Sequence, residues 1–139
     1  MVTEQCIRLA GICVAGDSYT GDLSSMTEEK LNTGIKNKLL GQVNLVRIGQ
    51  NYLNDNGSFT LISGKMGDKP SRNAAAKALT NGGINSFVMA ASLEMKMGIR
   101  INAISPAKIS EIPVADLMDA YQKSIEGSLN GKIIRIGYD

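Results

Sequence analysis

Lys77 and Asn81 stand four residues apart in AAAKALTNGGINSF, residues 74–87. The stretch is alanine-rich and free of proline, so it reads as a helix, and a spacing of four puts the ammonium and the carboxamide on one face, one turn apart. They are either a catalytic pair or a non-catalytic surface or interface pair. A lysine moves protons near neutral pH only if burial or a neighbouring cation lowers its pKa, and Asn81 carries no charge to do this. Lys38 could supply the charge if helix packing brought it near. The chain has no histidine. That removes every Ser-His or Cys-His arrangement, the HExxH metal site and the usual acid/base side chain at neutral pH.

The other candidates read as structure. Cys6 and Cys13 fit no zinc-site spacing and are expected to be buried or half-buried thiols. Asp116 and Asp119 are expected on a solvated helix face rather than on a metal, and no metal site is predicted. Tyr121 belongs with an apolar stripe, and Met89, Met95 and Met97 with gap-filling around a helix end. The net charge of +2 in 139 residues, with the basic residues scattered, gives no footprint for nucleic acid. No apolar run is long enough to span a bilayer, and no basic start and apolar stretch marks a secretory signal. No membrane partner is expected, and the cytoplasm is the expected compartment.

Four strand and helix alternations must position these residues. EQCIRL, residues 4–9, reads as a strand stopping at a turn at Ala10-Gly11. A capping-box pattern at residues 25–28 opens a long helix with Leu31, Ile35, Leu39, Val43 and Val46 on one face, running to roughly residue 53. Residues 58–63 form the second strand. A second long helix opens at Pro70 or Ser71, with Ala76, Leu79, Gly83, Phe87 and Ala90 as its inner face and Gly98 as its C-terminal cap. Residues 99–104 form a strand ended by Ser105-Pro106. A last helix from Pro113 carries Val114, Leu117, Met118, Tyr121 and Ile125, and residues 132–138 form the last strand. The pattern predicts one α/β domain, residues 1–139, with a parallel sheet of about four strands in the order 1-2-3-4. Right-handed crossovers then put both long helices on one face, leaving the last helix or another chain to cover the other.

The run from Gly57 to Pro106, GSFTLISG…NGGINSFVMAASLEMKMGIRINAISP, resembles the second half of the short-chain dehydrogenase/reductase family. The resemblance rests on an apolar strand ending in Ser, a helix ending in F-x-x-A-x-x-L-E, and G-I-R-I-N-x-I-S-P. It extends to LAGI at 9–12, where the family has its Asn-Asn-Ala-Gly strand end, and to KLLGQ at 38–42, where it has Asn-Leu-x-Gly. It implies a three-layer Rossmann-like fold corresponding to strands four to seven of that family, in a fragment or shortened relative. The family's glycine-rich cofactor turn, Thr-Gly-x-x-x-Gly-x-Gly, is not in this sequence, so tight binding of NAD(P) by this chain alone is not expected.

The resemblance also places a site. Family members use a Tyr as acid/base, a Lys four residues on that lowers its pKa and holds the ribose, a Ser that polarises the substrate carbonyl, and an Asn in a proton relay. Counting back from Glu94 and Phe87, the Tyr position falls on Lys77 and the Lys position on Asn81. The relay Asn falls on Lys38, and the Ser on Gly64 or, with a one-residue slip, on Ser63. Ser63, Lys77 and Asn81 are therefore the expected catalytic positions, and Ala10, Gly11 and Pro106 the expected cofactor contacts. The expected function is a nominally NAD(P)-dependent oxidoreductase without its hydride-transfer machinery; a non-enzymatic binding or assembly module is the alternative. The family commonly pairs its long helices across a twofold axis, which with the small residues Ala76 and Gly83 implies a homo-oligomer through those helices.

Overall fold

The structure is a computed structural model of the chain and describes residues 10–14 and 16–139. Four parallel strands lie side by side in sequence order: β1 (Ala10–Ile12), β2 (Ser58–Ile62), β3 (Arg100–Pro106) and β4 (Ile133–Ile136). The first long helix comprises α1 (Glu28–Gly34), a π-helical segment (Ile35–Leu40) and α2 (Gly41–Gly49); the second is α3 (Ala75–Ala91) and the last α4 (Val114–Glu126). The two long helices share one face of the sheet, and α4 lies on the other, giving the three-layer α/β fold the sequence predicts.

Side-chain alternation along the strands divides the core. Phe59, Leu61, Ile101 and Ala103 face the long helices and bury Val46, Ile84 and Val88 with them. Ile62, Ile104 and Ile136 face Ala120 on α4. The α4 side is partly polar: Thr60 and Ser124 hydroxyls bond at 2.6 Å, and Arg100 donates to the carbonyls of Ser124, Ile125 and Leu129. Those carbonyls close the C-terminal end of α4, where the orphan acceptors and the negative end of the helix dipole both favour a cation.

Several local expectations are corrected. The predicted strand at residues 4–9, and Cys6 within it, lie outside the described residues. Ala10 and Gly11 do not turn; they pair with Ser58 and Phe59. Gly11 is needed because a Cβ there would come within 2.8 Å of the Phe59 ring. The first helix is capped by Thr27, whose hydroxyl accepts from the Lys30 N–H at 3.2 Å, rather than by Ser25, which sits in a 3₁₀ turn. It ends at Gly49; Val46 is buried and Leu39 packs against the core as expected, while Gly34 and Gln42 are also buried.

The second long helix begins at Ala75, because a 3₁₀ turn (Lys65–Gly67) and Asn73 in the left-handed region at φ 62 occupy the expected start. Its buried face is Ala76, Thr80, Ile84 and Val88, while Leu79 and Ala90 are exposed. The expected stripe was set by the small and aromatic residues and missed that polar residues fill this face. Gly98 lies well beyond the helix end at Ala91, and β3 runs on through Ser105 and Pro106. On α4 the buried residues are Ala120 and Ser124, with Val114 and Met118 exposed. Asp119 does sit on a solvated face, 2.6 Å from Lys123. Cys13 is half-buried and free. Among the described residues, no helix is long and apolar enough to cross a membrane.

Candidate functional site

Parallel α/β sheets collect ligands at the carboxyl ends of their strands, where loops diverge and helix starts converge. Here that end holds an open cleft of about 560 Å³ between Gly64 after β2, Pro106 at the end of β3, the first half of α3 and the loop at residue 17. Lys77 and Asn81 line it together, as the helical spacing predicts. Lys38 lines it too, brought there by the π segment, and Pro106 forms part of the wall.

The loop carrying Asp17 is held down tightly. Gly16, at φ 109, passes so close over Lys38 that a Cβ would sit 2.8 Å from the Lys38 Cα. Ser18 is buried, and its hydroxyl bonds Thr80 on α3 at 2.7 Å. Asp17 thereby reaches Lys77 at 3.7 Å. Its side chain is 89% exposed, so this ion pair is weak and exchangeable. The Lys38 ammonium donates to the Ser63 carbonyl at 3.3 Å, and among the described residues it makes no ion pair. Burial pushes its pKa down, and the Lys77 charge adds to this, while Asp17 opposes it. The fold therefore perturbs the Lys38 ammonium.

Asn81 is 4% exposed, and its Oδ1 is buried without a partner. A Cβ on Gly64 would come within 2.8 Å of its Nδ2. Gly64 thus forms the cleft wall beside Asn81, whereas Ser63 contributes its main chain: its carbonyl takes Lys38, its N–H donates to the Ile104 carbonyl at 2.9 Å, and its hydroxyl is buried and unpartnered. Ala10 and Gly11 are not part of this cleft. They border a separate, mostly apolar groove of about 810 Å³ between β1 and α2, with Leu45, Ile48 and Phe59.

Asp17, Lys65, Lys108 and Glu111 also line the cleft and were not singled out in the sequence. Nothing in the local pattern marks them, because they come from loops that only the sheet brings together. Four ammonium groups, of Lys38, Lys65, Lys77 and Lys108, face the two carboxylates of Asp17 and Glu111, a surplus of two positive charges. Lys108 is paired with Glu111 at 3.1 Å. Behind the wall, Tyr138 donates to Asp68 at 2.9 Å and also bonds Ser105, and Arg135 holds Asp68 at 2.8 Å. Although partial burial pushes the Asp68 pKa up, the bonds from Arg135 and Tyr138 outweigh it and hold the carboxyl below its ordinary value.

The fold is that of a short-chain dehydrogenase/reductase, and the chain belongs to that family: a family model described as enoyl-(acyl carrier protein) reductase matches residues 5–134. Among solved structures, it is similar to the protein lin1944 from Listeria innocua, with 35% identity and a TM-score of 0.87 over 97% of this chain. It is also similar to a small-chain dehydrogenase (30% identity, TM-score 0.82) and to a small-chain dehydrogenase in complex with NADPH (26% identity, TM-score 0.82), each over 91% of this chain. It spans 74%, 66% and 70% of those three proteins respectively. No curated protein matches it.

The pair expected at the family's Tyr and Lys positions, Lys77 and Asn81, is an ammonium paired to Asp17 and an uncharged carboxamide with a buried oxygen. They do not fit a nicotinamide ribose in the family's manner, which needs a phenol and a cation one turn apart.

Proposed function

We propose that this chain is a reductase-fold protein that does not carry out the family's tyrosine-dependent hydride transfer and uses the same cleft to bind a ligand. The observation that supports this reading is the pair on α3: Lys77, expected at the family's phenol position, is ion-paired with Asp17, and Asn81, expected at the cation position, lines the same cleft uncharged. No tyrosine is among the residues lining the cleft. General acid/base catalysis alone contributes about two to four orders of magnitude in rate, so its loss is sufficient to silence turnover. The test is oxidation of NADH and NADPH by the protein with a panel of small aldehydes and ketones, followed by nicotinamide absorbance. The expected result is no rate above the protein-free background; turnover by the unaltered chain would refute the reading.

The chain is further proposed to assemble with copies of itself through the outward faces of the two long helices. Ala76 and Gly83 are not available for that contact: Ala76 is buried, and a Cβ on Gly83 would lie 3.1 Å from Leu39 within the same chain. The support comes instead from large apolar side chains left about half exposed, Ile48 on α2 and Leu79 and Met89 on α3. Light scattering on the eluting protein is expected to give a multiple of 14.8 kDa. Leu79→Glu is expected to shift the mass towards that of one chain.

A further inference from the structure

The cleft is more basic than a site for an uncharged carbonyl compound requires. Its four lysines differ in how they are matched. Lys108 is matched by Glu111, and Lys65 lies over the Tyr138 ring at 5.8 Å. Lys77 is matched only by the exposed Asp17, which a bound anion can replace at small cost. Lys38 has a carbonyl for company and no carboxylate in ion-pair range among the described residues. Asn81 lines the same cleft, and its Nδ2, beside Gly64, makes no hydrogen bond among the described residues.

A half-buried ammonium disfavours its charged form unless something compensates it. An anionic ligand group compensates the ammonium groups and accepts from the Asn81 Nδ2, the donor end of the carboxamide. We infer that the cleft is an oxyanion-binding site, which takes the carboxylate or phosphate group of a small molecule between the ammonium groups of Lys38 and Lys77 and the carboxamide of Asn81. Gly64 has the role of keeping that space clear, since a side chain at position 64 would collide with the carboxamide. The inference rests on the reading of this cleft as a binding site rather than a hydride-transfer site, and it names the ligand class that reading leaves open.

The probes are inorganic phosphate and acetate, titrated into the intact chain with amide chemical shifts followed and sodium chloride as the ionic-strength control. The expected result is saturable binding of one or both probes, centred on residues 63–66, 81, 107 and 108; the tighter probe identifies the source of the oxyanion. Lys38→Met is expected to weaken binding about tenfold or more, as losing one charge-assisted contact does. Lys96→Met removes an exposed charge elsewhere and is expected to leave it unchanged. If Lys38→Met does not fold, Lys77→Met is measured in its place. Absence of saturable binding by both probes, or equal weakening in the cleft variant and Lys96→Met, would overturn the inference. The nicotinamide assay in the same samples reports separately on hydride transfer, so either reading can fail alone.

Discussion

Gln42→Met is expected to lower the unfolding free energy by about 2–5 kcal/mol, the cost of leaving two buried backbone groups unpaired. Gln42 is fully buried. Its Nε2 donates to the Ile62 carbonyl at 2.8 Å, and its Oε1 accepts from the Ile62 N–H at 2.8 Å. The reason lies in the sheet. β1 pairs with β2 only as far as Ile12 against Thr60, with one further bond from the Cys13 N–H to the Thr60 carbonyl. Hydrogen-bonding direction alternates along a strand, so Ile62 points to the same side as Thr60, where β1 has already turned away. The carboxamide of Gln42 stands in for the next peptide of that strand. Methionine keeps the length and most of the volume, so the variant isolates the lost bonds from cavity formation. Denaturant unfolding read by circular dichroism checks the effect, and the melting temperature is expected to fall by roughly 10–15 °C. A change near zero would mean that water or a shifted main chain satisfies Ile62.

Arg100→Met is expected to cost about 2–4 kcal/mol, since charged donors to partly buried carbonyls contribute more than neutral ones. Its guanidinium makes three bonds, at 2.8 Å to Ser124, 2.7 Å to Ile125 and 3.1 Å to Leu129. These bonds tie the start of β3 to the end of α4 and to the turn before β4, which Asn102 also holds through Leu129 and Lys132. Because Ala120, Leu117 and Tyr121 of α4 cover Ile62 and Ile104, loosening its end exposes them. Arg100→Lys is expected to recover only part of the loss, because a single ammonium cannot span three carbonyls in a fork. Hydrogen exchange localises the effect: faster exchange confined to α4 and β4 is expected, with β2 protected as before.

The sequence by itself determined the alternation of strands and helices, the parallel order of the sheet, the two-to-one division of helices between its faces and the helical turn that sets Lys77 beside Asn81. These follow from periodicity and local spacing, which neighbouring residues fix among themselves. It also carried the family, through fixed spacings from Gly57 to Pro106. Only the tertiary structure decided which side of α3 is inside, because Thr80 and Asn81 look like surface residues until a loop hydroxyl and a cleft give them a place. It set Gly64 rather than Ser63 at the cleft wall, separated Ala10 and Gly11 from that cleft, and moved Lys38 into it by a π turn that no local propensity announces. The charge surplus of the cleft and the strand-mimicking role of Gln42 both depend on groups far apart in sequence. Contacts of that kind are fixed when the sheet assembles, and no pattern confined to one segment encodes them.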